Sequence, residues 1–133
     1  MRVLGVDVGN SRTGVAISDA LGVTCTPLPV IRERDRDQLL LKVVALAEEY
    51  GAGELVVGLP RPLAGGTNAQ MDSVISFAER LKQTASMTIV MWDERFTSKL
   101  ARSSQRASDE QDSVAACYIL QDYLDRRSAA GGE

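Results

Sequence analysis

The stretch Met1–Asp19 reads MRVLGVDVGNSRTGVAISD, and its interpretation decides the fold. An apolar run from Val3 to Val8 is interrupted only by Asp7. Four turn-forming residues follow, Gly9-Asn10-Ser11-Arg12, and then a second apolar run from Val15 to Ile17. Two strands over 2–8 and 13–18, joined by a short turn, are the natural reading. Asp7 then stands at the end of a strand that belongs to the core. An ionised carboxylate buried without a partner is costly. Either Asp7 tips into the turn and accepts backbone N–H groups, or it holds a metal ion or phosphate-linked chemistry. This stretch alone leaves both open.

Working outward, VTCTPLPVI over 23–31 is a third strand. Pro27 and Pro29 place it at a sheet edge, because proline cannot donate to a ladder. A charged connector, Arg32 to Asp37, precedes a helix capped by Asp35 or Asp37, with an apolar face of Leu39, Leu40, Val43, Val44, Leu46, Ala47 and Tyr50. Gly51 and Gly53 end it. ELVVG over 54–58 is a short apolar run without alternation, as in a buried parallel strand. A Gly/Pro loop leads to a second helix over 67–84, opened by Thr67 or Asn68, with Met71, Val74, Ile75, Ala78 and Leu81 inward. Met87–Trp92 is a further strand, central or semi-buried. Helices are expected over 97–106 and 111–127, the last with Val114, Ala115, Cys117, Tyr118, Leu120 and Leu124 toward the core. Residues 1–127 thus form a single domain, and 128–133 a disordered tail.

Early hairpins followed by alternating helices and strands give a mixed α/β sheet with helices on its faces. Right-handed crossovers set the strands at 54–58 and 87–92 parallel to the first. In such sheets, sites form beyond the carboxyl ends of the parallel strands. Asp7 lies at one such end. Asp93 and Glu94, in MWDERFTS, lie at another. Strands are about 4.8 Å apart, so carboxylates one or two strands away can share an ion. Successive strand residues point to opposite faces, so only one of Asp93 and Glu94 faces the site. Asp93 is instead free to cap a helix beginning near Thr97. A third acid, Asp112, stands at the first turn of the last helix; Asp109, Asp112 and Ser113 are equally able to serve as N-caps. Three acids on one rim suit Mg²⁺ or Mn²⁺, hard cations that take oxygen ligands.

Composition narrows the chemistry. The 133 residues include no histidine, which removes His-based acid–base catalysis and most zinc sites. Cys25 and Cys117 are far apart in sequence and read as reduced core thiols. The net charge of −3 argues mildly against nucleic acid, although a local basic stripe or bound cation reverses the local sign. Such a stripe exists: Arg95, Lys99, Arg102 and Arg106 recur at helical spacing beside Glu94. The Arg32, Arg34, Arg36 cluster alternates with acids and reads as solvated surface. Gly9, Asn10, Ser11 and Arg12 either present N–H groups to a phosphate or form only a turn. No apolar stretch approaches a membrane span and the start lacks a signal-peptide pattern, so a cytoplasmic location without membrane contact is expected.

Four blocks occur in order over nearly the whole chain: GVDVGNSRTGVAISD, VVGLPRPLAGGTNAQ, DERFTS and DSVAACYILQDYLD. Together they resemble the YqgF/RuvX family, described as Holliday-junction resolvases and as pre-16S ribosomal RNA nucleases. The resemblance implies a ribonuclease H-like fold: five strands, the first three antiparallel and the last two parallel to the first, with helices on both faces. It also implies Mg²⁺- or Mn²⁺-dependent phosphodiester hydrolysis, with Asp7, Glu94 and Asp112 as catalytic and metal-holding residues and Asp93 as the second choice to Glu94. Gly9, Asn10, Ser11, Arg12, Arg95, Thr97, Lys99 and Arg102 are the matching candidates for substrate binding. Nucleic acid is the implied partner, RNA ahead of a DNA junction, with pre-ribosomal particles as a further partner. A two-fold junction would require a homodimer and RNA processing would allow a monomer. Two departures from the family pattern stand out. The stretch before Asp112 is short and carries Asp109 and Glu110 where relatives are longer and more basic. The strand ending at Gly58 lacks the carboxylate that many ribonuclease H-like nucleases place there. The residues also admit a non-catalytic RNA- or DNA-binding module with a relict metal site, and an actin-like nucleotide-binding fragment, for which one domain is short.

Overall fold

The computed structural model describes residues 1–62, 64–94 and 109–131, the side chains of 109–112 and 129–131 excepted. The expected helix over 97–106 lies outside these residues. The described elements are β1 (Arg2–Asp7), β2 (Arg12–Ser18), β3 (Cys25–Arg32), α1 (Arg36–Glu49), β4 (Ala52–Leu59), α2 (Ala69–Thr84), β5 (Thr88–Asp93) and α3 (Asp109–Gly131). The final helix therefore runs past residue 127, where the sequence suggested it would fray. No described helix is long and apolar enough to cross a membrane.

The strands form one sheet in the order β3-β2-β1-β4-β5. β1 pairs antiparallel with β2, and β2 antiparallel with β3. β1 and β4 are parallel, as are β4 and β5. Pro27 and Pro29 do fall on the outermost strand. β5 is the correction: it is half-buried as expected, yet it lies at the opposite edge rather than centrally, because each crossover steps outward from β1.

Strand alternation divides the core into two layers. Leu4, Val6, Leu55 and Val57 face α1 and α2, meeting Leu39, Val43, Phe77 and Leu81. Val3, Ala16 and Val56 face α3, meeting Ala116, Ile119, Leu120 and Leu124. Each such fully buried aliphatic or aromatic side chain contributes about 1.5–3 kcal/mol of transfer free energy. Gly5 is needed on β1 because a Cβ there would lie 2.8 Å from Leu120 Cβ and 3.2 Å from the Ala116 carbonyl oxygen. Its absence lets α3 settle directly on the sheet.

Local chemistry sets the helix ends. Asp35 caps α1, accepting from the Asp37 and Gln38 N–H groups at 2.8 and 3.0 Å, which is worth about 1 kcal/mol. Asn68 caps α2 through the Met71 N–H at 2.8 Å. Gly51 leaves α1 with φ of 66°. Gly53, by contrast, is inside β4 and lies under the Met1 side chain. On α2 the inward set includes Phe77, with Ile75 only half-buried. On α3 the inward face carries Ser113, Ala116, Ile119, Leu120 and Tyr123, and Tyr118 is exposed. Tyr118 was expected inside; the helix instead turns toward the sheet the face that fits over Gly5.

Candidate active site

Asp7 ends β1 and is half-buried. It shares parity with Val3 and Gly5, so it stands on the α3 side of the sheet. Directly opposite it on β2 is Gly14. On β4 the pairing of Val6 with Val57 puts Gly58 level with Asp7. The carboxylate is therefore flanked on both neighbouring strands by residues without side chains.

Glu94 follows β5 and is 8% exposed. Its carboxylate lies over Gly58: a Cβ at Gly58 would be 2.8 Å from Glu94 Oε2 and 3.1 Å from its Cγ. Glu94 thus reaches back over β4, the strand next to β1. The missing acid at the end of β4 now has a physical meaning. The glycine there is the space that the acid from the next strand occupies.

Asp93 takes the other side. Its Oδ2 pairs with Arg61 Nε at 3.0 Å, which anchors Asp93 to the loop after β4; the helix it was expected to cap, near Thr97, lies outside the described residues. Alternation between adjacent residues separates the two acids and directs Glu94, not Asp93, toward Asp7.

The third acid enters on α3. Tyr123 Oη donates to Glu54 Oε2 at 3.0 Å, near the start of β4, while Ile119 sits over Gly58, near its end. α3 lies chiefly over β2, β3 and β1 and runs antiparallel to β3, with Cys117 and Gln121 at Cys25 and Ser113 farther along at Leu28, so its first turn lies toward the end of the sheet where β1 and β4 finish. Ser113 fastens that turn by donating to the Leu28 carbonyl oxygen at 2.6 Å, so it is a tie to β3 rather than a cap. Asp112 immediately precedes Ser113 in α3, and its side chain is outside the described residues. Among the described residues no three acids, cysteines or histidines form a group that could hold a metal.

The turn after Asp7 is braced. Gly9 donates its N–H to Thr13 Oγ1 at 3.4 Å, and its carbonyl oxygen accepts from Arg36 Nη1 at 2.9 Å. Arg36 is thus no mere solvated charge; it ties the first turn of α1 to the site's edge. A Cβ at Gly9 would lie 2.1 Å from the Arg12 carbonyl oxygen, so only glycine closes the turn. Asn10 is exposed; Ser11 and Arg12 are half-buried, and Arg12 opens β2. Arg95, Thr97, Lys99, Arg102 and Arg106 lie outside the described residues. Sequence reasoning missed Gly14, Gly58, Arg36 and Arg61 as parts of the site. The available signal was glycine inside strands, which marks close approach.

The chain is similar to known proteins over nearly its whole length. A family model described as RuvX, Holliday junction resolvase, matches residues 1–126. A Clostridium acetobutylicum protein named "Putative pre-16S rRNA nuclease" is 39% identical over 132 residues, covering 93% of this chain and 98% of its own. A Moorella thermoacetica protein of the same name is 40% identical over 139 residues, covering 98% and 99%. Among solved structures, Thermus thermophilus RuvC superposes with a TM-score of 0.62 at 11% identity, covering 97% of each chain. The fowlpox virus Holliday junction resolvase does so at 0.54 and 13%, covering 95% of this chain and 99% of its own. These structures share the ribonuclease H-like fold, which is all that such low identity shows. The family match and the close relatives together establish that the chain belongs to the RuvX family of nucleases.

Proposed function

We propose that this protein is a cytoplasmic, Mg²⁺- or Mn²⁺-dependent nuclease, one domain over residues 1–127, that hydrolyses phosphodiester bonds in nucleic acid. The observation that supports this reading is the Glu94 carboxylate lying over Gly58, which stands level with Asp7 on the neighbouring strand. Carboxylate oxygens are hard donors of the kind that a small, hard cation takes. Asp7, Glu94 and Asp112 are the residues that would hold it. A divalent ion there supplies charge neutralisation at the scissile phosphate and acidifies the attacking water.

The chain's own residues do the rest. Asp7, rigid at the end of a central strand, orients one oxygen donor. Glu94 supplies a second from over Gly58, and the Arg61–Asp93 pair holds the corner from which Glu94 projects. Arg95, Thr97, Lys99 and Arg102, with Gly9–Arg12, engage the backbone phosphates and position the strand for in-line attack. With no protein nucleophile, the phosphorus inverts.

The names of the curated relatives favour ribosomal RNA precursors over four-way DNA junctions as substrate, and hence action on pre-ribosomal particles as a monomer or homodimer. The test is a cleavage panel of single-stranded RNA, structured RNA and four-way DNA junctions with Mg²⁺, Mn²⁺ or EDTA. Cleavage of structured RNA that EDTA abolishes and Asp7→Asn reduces by on the order of a hundredfold or more is expected. Full activity in Asp7→Asn overturns the reading. Binding that survives EDTA with no cleavage restores the non-catalytic alternative.

A further inference from the structure

Cys25 and Cys117, 92 residues apart in the chain, meet where β3 begins against α3. Cys25 Sγ donates to the Cys117 carbonyl oxygen at 3.3 Å and lies 3.6 Å from Gln121 Oε1. Cys25 Sγ thus lies directly against residue Cys117, and both thiols are free and partly exposed. Neither belongs to the acidic rim. A structural thiol needs no second thiol facing it, and a buried one would be shielded from oxidants.

We propose that Cys25 and Cys117 are a modification site: a peroxide oxidises them to an intramolecular disulfide that staples the edge strand β3 to α3. This is independent of the nuclease reading. Cys25 is the attacking sulfur. Its hydrogen bond from the Cys117 thiol holds it below the usual thiol range, against its burial and the nearby Asp125 carboxylate. The same bond pushes Cys117 up, which suits a resolving thiol. The Cys25 thiolate attacks one oxygen of hydrogen peroxide; the O–O bond breaks, the departing hydroxide takes up a proton as water, and Cys25 becomes a sulfenic acid. The Cys117 sulfur then attacks the Cys25 sulfur. The S–S bond forms, the S–O bond breaks, and the second water leaves with the Cys117 proton. The two sulfurs together lose the two electrons that the peroxide oxygens gain. The staple closes a long loop and so restrains the unfolded chain.

The experiment is peroxide treatment of the purified protein, followed by intact mass, non-reducing peptide mapping and thermal unfolding. The expected product is a monomer lighter by two hydrogens, with a Cys25–Cys117 linked peptide and a thermal midpoint raised by roughly 10 °C, reversed by dithiothreitol. In Cys117→Ser, Cys25 should accumulate as a sulfenic acid trapped by dimedone, whereas Cys25→Ser should be trapped far less. Two thiols still open to alkylation after oxidation, or a disulfide only between molecules, overturns the proposal. A linked monomer with no rise in midpoint overturns the staple. Trapping mainly at Cys117 overturns the assigned order of attack. Wild-type mapping decides the pairing even if a variant fails to fold.

Discussion

The Glu94 carboxylate occupies the space above Gly58, where a Cβ would come within 2.8 Å of Oε2 and 2.7 Å of Ile119 Cδ1. Both atoms are ends of flexible side chains and can yield. Gly58→Ala should therefore fold, at a cost of about 1–3 kcal/mol, while moving the carboxylate. A displacement of about an ångström at a reacting centre costs on the order of a hundredfold in rate. The expected result is a near-native urea melt with cleavage down by that factor. Gly5→Ala is the contrasting case. Its Cβ would meet the Ala116 carbonyl and Leu120 Cβ, atoms set by backbone, so its loss should appear mainly in stability.

Adjacent acids should separate by function. Glu94→Gln should lose metal-dependent cleavage and weaken Mn²⁺ binding in calorimetry. Asp93→Asn weakens the pair with Arg61, a partly exposed pair worth about 0–1 kcal/mol, and should retain most activity. Equal losses in the two variants would contradict the separation by strand face.

Ser113 ties α3 to β3 through a 2.6 Å bond to the Leu28 carbonyl and is 3% exposed. Ser113→Ala leaves that carbonyl without this donor, which should lower unfolding free energy by about 1–3 kcal/mol in urea titration. Hydrogen exchange should rise first at the start of α3.

Asp19 gives a pH dependence whose sign is fixed. Its carboxylate accepts the Val23 N–H at 2.8 Å and the Thr24 N–H at 3.2 Å, and the Val23 bond above all holds its pKa below the usual carboxylate range. The folded value is depressed, so the contribution is present above the unfolded value near 3.9 and lost as pH falls through the folded one. Between about pH 5 and about pH 2 the wild-type thermal midpoint should fall more steeply than that of Asp19→Asn.

Much of this was legible in the sequence because local chemistry and tertiary structure agree. The first hairpin, the proline-marked edge, the capping by Asp35 and Asn68, and the parallel pair β4 and β5 each follow from residues that admit few alternatives. Alternation puts Asp93 and Glu94 on opposite faces, and Asp93 is the one paired with Arg61. The inward face of α3 was less readable. Val114 through Leu120 is apolar all round, so no periodicity distinguishes Tyr118 from Ile119. Only the recess over Gly5 selects it. The roles of Gly14 and Gly58 were equally hidden, since a missing side chain announces nothing until its neighbours across the ladder are known.

The opposite facing of Asp93 and Glu94 also constrains which lengths of chain are viable. Adding or deleting one residue within β5 would exchange the two acids, handing Arg61 the longer side chain and turning the shorter one toward Asp7. Viable length variants of this protein should therefore place their indels in the Gly/Pro segment after Leu59 and leave the count from Thr88 to Glu94 untouched.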